Sequence, residues 1–391
     1  MKNVKIVYIN TRFYYAHPVL DEKWFYLFGM GHFLAWEMIK KAPEILVENW
    51  RADHSISEKK EKTVEGVMCR VFPCRERAKL GDFSRQLVRE LKSQSRQFKL
   101  IIHFMGMYSY FYDYTAWVLR DDAAIVATHL GGPHPLWKFQ RSRKPKHWLY
   151  YLLQRYFIYP CFDQVFCTTE ALREYVARII GTERVSKMPI FGIDLDQFKP
   201  QDRKKARQEL GFPEDKKVIL QVGRAVRYRG VDIVLNMWER IRTDQYYMFF
   251  VDTREEDELF AEVKSAGIPF CGYASFFELP KYYSAADVLV YLPFDEESLD
   301  FAGTSYVPLE AMACGTPVVA PTLRHFPDEE IHSVCRVPRE PGQVDKMVLD
   351  LLNNPPDPMK CRSLIQNHYN WDKVIGRHLE IYQKSLNEQS R

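Results

Sequence analysis

Short runs dense in Val, Ile and Phe recur along this chain, and longer amphipathic stretches separate them. That alternation is what a parallel sheet requires: crossover helices cover both of its faces, so its strands are apolar throughout. The pattern predicts strands at 4–10, 44–50, 99–104, 123–129 and 164–169 in the first half, and at 217–223, 246–252, 287–293 and 316–322 in the second. A chain of 391 residues exceeds one ordinary core, so the fold class expected is α/β with two Rossmann-like, doubly wound domains facing across a cleft. The segment from Met188 to Asp202 has two prolines, a glycine and no helical periodicity, which puts the junction there. The domains expected are 1–188 on the acceptor side and 189–365 for the donor, with 366–391 as a terminal helix returning to the first.

Charge and cysteines narrow the function classes. A formal charge of +4 is small for this length and gives no overall footprint for nucleic acid. The eight cysteines are scattered without a C-x-x-C pair or zinc-finger spacing, and they read as reduced core residues of a cytoplasmic protein. No run of 18 apolar residues occurs, so no membrane-spanning helix is expected.

Ligands of doubly wound sheets bind beyond the C-terminal ends of the strands, so chemistry is sought in those loops. In LQVGRAVRYRG, Leu220–Gly230, Gly223 ends a buried strand, and Arg224 and Arg229 set two guanidinium forks beside it. The pair suits a diphosphate, and solvated loop arginines are the plainer alternative. In AGTSYVPLEAMACGTPVVAP, Ala302–Pro321, the turn Gly303, Thr304, Ser305 precedes a helix predicted from about Val307 to Ala313. Free N–H groups at such a start, the backbone of Tyr306 included, attract phosphate. Glu310 within that helix either accepts hydrogen bonds from the two hydroxyls of a ribose or is an ordinary exposed helical glutamate.

The order FGID, LQVGRAVRYRG, YYSAADVLVYLP, VPLEAMACGTPVVA resembles the donor domain of glycosyltransferase family 4, the group 1 glycosyltransferases, which have the GT-B fold and retain anomeric configuration. The resemblance spans the second half and the last helix, and it implies the following roles. Arg224 falls at the arginine that contacts the donor diphosphate, and Arg229 falls where the family usually has lysine. Glu310 matches the glutamate that holds the ribose. Ala302 stands where a first glutamate would contact the transferred sugar, which leaves the identity of that sugar open; the acidic residues Asp295, Glu296, Glu297 and Asp300 are nearby substitutes or a solvated loop. Tyr273, in the CGYAS loop at 271–275, lies where the base is expected.

In the first half, ATHLGG ends a predicted strand with His129, which resembles the family histidine near the anomeric carbon or is a hydrogen-bonded histidine at a strand end, and His103 is the second choice. The family's usual glycine pair after the first strand is missing; Gly29 and Gly31, ahead of a helix predicted over 33–41, either replace it or serve helix packing. From residue 137 to 155, six cations stand among Trp and Tyr, as on a protein that rests on an anionic membrane surface; a solvated loop followed by a core-facing helix, 148–158, is the alternative.

The resemblance therefore implies a metal-independent, retaining transferase without a cofactor, taking a UDP- or GDP-sugar to a glycan or lipid-linked acceptor. Such a protein would work in the cytoplasm, with the inner membrane face as a peripheral site, and would bind no nucleic acid. Two rivals stand beside it: a nucleotide-sugar epimerase on the same scaffold, and a catalytically silent nucleotide-binding protein.

Overall fold

The computed structural model describes residues 3–10, 30–74, 83–189, 191–294 and 305–389. Two compact units divide the chain: unit 1 contains 1–191 and returns at 371–391, and unit 2 contains 192–370.

Among the described residues of unit 1, β1 (Val4–Asn10), β2 (Leu46–Asp53), β3 (Lys60–Val64), β4 (Val67–Pro73), β5 (Lys99–Met105), β6 (Ala124–His129), β7 (Gln164–Cys167) and β8 (Val185–Lys187) form one sheet, ordered β3-β4-β2-β1-β5-β6-β7-β8. All pairs are parallel except β3 with β4. Those two make a hairpin that the apolar pattern did not predict, because β3 is KEKTV and carries no buried alternation. Its two-residue turn is Glu65 at φ 52° and Gly66 at φ 85°, the left-handed conformation that matches strand twist. The covering helices are α1 (Met30–Lys41), α2 (Arg85–Ser95), α3 (Tyr110–Leu119), α4 (Pro135–Ser142), α5 (Pro145–Leu153) and α6 (Glu170–Ile180). A π-helical stretch, Gln154–Ile158, extends α5. The helix predicted at 148–158 is thus two segments.

The C-terminal helix Trp371–Gln389 belongs to unit 1 because its Tyr382 hydroxyl enters the sheet's interior. It lies 3.1 Å from the Tyr8 hydroxyl and 2.6 Å from Nδ1 of His103. Lys41 and Asp372 pair at its start.

Unit 2 holds α7 (Arg203–Leu210), β9 (Lys217–Val222), α8 (Val231–Ile241), β10 (Tyr246–Val251), α9 (Phe260–Ser265), β11 (Phe270–Cys271), α10 (Leu279–Ala285), β12 (Val288–Val290), α11 (Tyr306–Ala313) and β13 (Val318–Val319). Its strands are parallel in the order β11-β10-β9-β12-β13. Alternate residues of β9 feed two separate cores: Val218, Leu220 and Val222 pack into one layer, and Ile219 into the other with Val234 and Met237 of α8. The strand order reverses between β9 and β12, and a crevice opens at such a switch point, at the carboxyl ends of the two strands.

Candidate active site

Unit 2 builds its candidate site from the loops that leave β9 and β12. After Val222 the chain turns at Gly223, φ 116°, whose N–H donates to the Val251 carbonyl at 2.9 Å. Arg224 then donates from Nε to Oδ1 of Asp257 at 2.6 Å. The other oxygen of Asp257 accepts the N–H groups of Ala225 at 2.8 Å and Arg254 at 3.0 Å. Burial pushes the Asp257 carboxyl up, but these donors outweigh it and hold the group below its ordinary range. Arg224 is thereby anchored at one edge while its side chain stays 39% exposed, so a ligand can reach it.

Arg229 ends a short helical turn, Arg227–Arg229, that leads into Gly230 at φ 73°. A Cβ on Gly230 would run into the Leu292 carbonyl just past β12, so the loop after β9 is pressed against the chain leaving β12. A Cβ on Gly223 would strike the Arg229 guanidinium. What approaches Gly223 closely is therefore the second arginine, and the glycine lets the two cations of this loop share one strand end.

α11 starts at Ser305, whose hydroxyl makes no capping bond to the helix. The N–H groups of Tyr306 and Val307 fall in the first turn, where a helix supplies them no carbonyl. One turn on, Oε2 of Glu310 accepts the hydroxyl of Tyr283, on α10, at 2.8 Å. Burial pushes the Glu310 carboxyl up to about 7, against the pull of that hydrogen bond. The Tyr306 hydroxyl is raised well above its usual range, first by burial and then by Tyr369 and Glu310 nearby. Tyr273, in the loop after β11, is 52% exposed and has the exposed Phe276 and Phe277 close in sequence. Gly303, Thr304, Ala302 and the acidic stretch 295–300 lie outside the described residues, as does Gly29.

In unit 1, His129 was expected at a cleft edge, and the ring is instead buried, 1% exposed. Its Nδ1 accepts the Gly131 N–H at 3.4 Å, so in the neutral ring Nε2 carries the proton toward the Tyr108 hydroxyl at 2.9 Å. Tyr108 in turn lies 2.9 Å from the Tyr159 hydroxyl. Burial, with smaller contributions from His134 and Lys138, lowers the imidazole to about 3, and the ring stays neutral. His103 is tied on both nitrogens, to Tyr382 and to Thr128 at 2.7 Å, and serves the docking of the C-terminal helix. Gly31 is not ahead of a helix but inside the first turn of α1. Its N–H donates to Oδ1 of Asn10 at 3.2 Å, and a Cβ there would crowd that amide at 2.7 Å, so helix-to-strand packing accounts for it.

Tyr283, Asp257 and Tyr108 were not among the expected site residues, although Tyr283 stands in the motif YYSAADVLVYLP. Asp257 was recoverable as a carboxylate in the loop after β10, next to the strand that carries Arg224. Tyr283 and Tyr108 gave no signal, because each acts through a partner distant in sequence. Among the described residues no three His, Cys, Asp or Glu side chains converge as a metal site.

Residues 42–196 match the model of Glycosyltransferase Family 4, and residues 202–371 match that of Glycosyl transferases group 1. Among solved structures, sucrose-phosphate synthase from Thermosynechococcus elongatus superposes with a TM-score of 0.65 at 18% identity, covering 97% of this chain and 98% of that one. Anabaena HepE in complex with UDP-glucose gives 0.65 at 15%, covering 97% and 99%. A D-inositol 3-phosphate glycosyltransferase of Catenulispora acidiphila is 27% identical over 220 residues, half of each chain. One of Geodermatophilus obscurus is 36% identical over 145 residues, 33% of this chain and 31% of that one. The chain thus spans half or less of the length of these two curated relatives. Two α/β units with these neighbours define a protein of the GT-B class. Within it, the chain belongs to glycosyltransferase family 4, the group 1 glycosyltransferases.

Proposed function

We propose that this protein transfers a sugar from a nucleotide diphosphate donor to a glycan or lipid-linked acceptor, with retention of configuration. The observation that carries the reading is the switch point of unit 2, where Arg224 and Arg229 follow β9 and the uncapped start of α11 follows β12. Two guanidinium groups and the N-terminal end of a helix are the kinds of group that suit a pyrophosphate, which is what supports this reading.

In this reading the ribose hydroxyls donate to Glu310 in its ionised form, and the Tyr283 hydroxyl orients that carboxylate. The base stacks beside the exposed Tyr273. As the glycosidic bond to the diphosphate breaks, charge grows on the leaving oxygens. Fixed donors there stabilise it by about 3 kcal/mol each, and the reading calls for no metal. His129, neutral and bonded to Tyr108, orients groups at the acceptor side rather than exchanging protons. UDP is the nucleotide to test first, since the HepE structures hold UDP-glucose or UDP.

The test is calorimetry with UDP and GDP on the full chain and on Glu310→Ala. Loss of two hydrogen bonds to a carboxylate lowers affinity by about tenfold or more. Unchanged affinity in the variant refutes the ribose assignment, and absence of any nucleoside diphosphate binding refutes the donor site.

A further inference from the structure

We propose that α3, α5 and the π-helical stretch together form a face that seats on an anionic lipid bilayer. The inference extends the lipid-linked acceptor reading, and it includes a helix, α3, that the basic run at 137–155 did not contain.

The outward sides of these segments are apolar, which is the reverse of a solvated helix. α5 buries Tyr151 and its extension buries Gln154 and Ile158, a stripe turned into the protein. On the other side Leu149 is 64%, Tyr156 63% and Phe157 61% exposed, with Trp148 and Leu153 beside them. On α3, Tyr110, Tyr114 and Trp117 recur at helical spacing and are all exposed. The two helices are clamped together: the Tyr110 and Tyr150 rings lie 5.4 Å apart, and buried Asp113 of α3 accepts Tyr150 Oη at 2.9 Å and Gln154 Nε2 at 2.6 Å. The exposed rings of both therefore belong to one held surface.

Charge decides which partner fits. From Ala123 to Phe162 the sequence contains no Asp or Glu, while Lys138, Arg141, Arg143, Lys144, Lys146 and Arg155 all lie within it. The lysines and Arg143 are exposed around the start of α5, and Arg141 stacks over Trp137 at 4.8 Å. Trp and Tyr settle at the headgroup boundary, aliphatic and Phe side chains enter just below it, and Lys and Arg meet anionic lipid phosphates. The same π-helical stretch runs into Tyr159, the buried end of the hydroxyl chain from His129.

Flotation of the full chain with vesicles tests this, using phosphatidylcholine alone and phosphatidylcholine mixed with phosphatidylglycerol. No donor is present, so the result stands apart from transfer. Expected is binding to the mixed vesicles only, weakened by salt. Lys144→Glu with Lys146→Glu lowers vesicle affinity by about tenfold or more. Leu149→Ser with Phe157→Ser also loses binding while keeping the melting temperature and UDP affinity, since both residues are exposed. Equal flotation with both vesicle types, or none with either, overturns the proposal. So does a dimer in sedimentation that the Leu149→Ser, Phe157→Ser variant splits, because the face would then belong to a second copy.

Discussion

The hydroxyl of Tyr283, on the helix before β12, donates at 2.8 Å to Oε2 of Glu310, on the helix after it. Burial nevertheless pushes this carboxyl up to about 7, so it holds its proton to far higher pH than an exposed glutamate. A ribose that donates to it favours the ionised form, and binding therefore expels a proton. Nucleotide affinity should rise with pH toward about 7 and level off above it, falling toward tenfold per unit at lower pH. Calorimetry in buffers of different ionisation heat reads the proton directly. Tyr283→Phe removes a donor from the carboxylate, which moves this profile to higher pH and weakens binding at pH 7 by several-fold, on the order of one hydrogen bond to a charge.

His129 and Tyr108 are coupled in the same indirect way in unit 1. His129→Ala should lower turnover by about tenfold or more while leaving the UDP dissociation constant unchanged. Tyr108→Phe, which keeps the ring and deletes the hydroxyl, should do the same more mildly. Single-turnover rates measured beside calorimetry separate the two quantities. Intact turnover in both variants removes the histidine from the mechanism.

Gly230 is confined by the Leu292 carbonyl and by φ 73°, whereas Gly66 has φ 85° with nothing near its missing Cβ. Gly230→Ala should therefore destabilise unit 2 by about 2–4 kcal/mol, and Gly66→Ala by about 1 kcal/mol from backbone strain alone. Urea denaturation of the two variants beside the parent checks the difference, and equal losses would mean that the crowding at Leu292 is absent.

Acid should destabilise the protein early. Burial lowers His129 to about 3 and His134 and His378 to about 4, and lowers His103 as well, against about 6.5 in an unfolded chain. Each contributes stability that is fully present above pH 6.5 and is lost as the pH falls toward the folded value, because the unfolded chain then binds the proton first. Glu310 and Asp113, both raised to about 7 by burial, work in the opposite sense over the same range. Four histidines outweigh two carboxyls, so the melting temperature should fall between pH 7 and pH 5. A flat or rising profile would contradict the burial of these rings.

Local order along the chain carried the fold class, since short apolar runs such as Val4–Asn10 and Lys217–Val222 between amphipathic stretches fit the buried strands of a parallel sheet, and the glycine and arginines at one strand end suit a phosphate. The turn that carries Arg224 and Arg229 and the helix that carries Glu310 were readable for that reason. Tertiary structure alone decided what each of these groups touches. Asp257 reaches Arg224 across 33 residues, Tyr283 reaches Glu310 across 27, and Tyr382 reaches His103 across 279. The same packing buried His129 and turned Tyr156 and Phe157 outward. Periodicity records which side of an element is apolar, but the protonation state of a carboxyl or imidazole depends on the water that neighbouring elements exclude, and those neighbours meet only when the chain is folded.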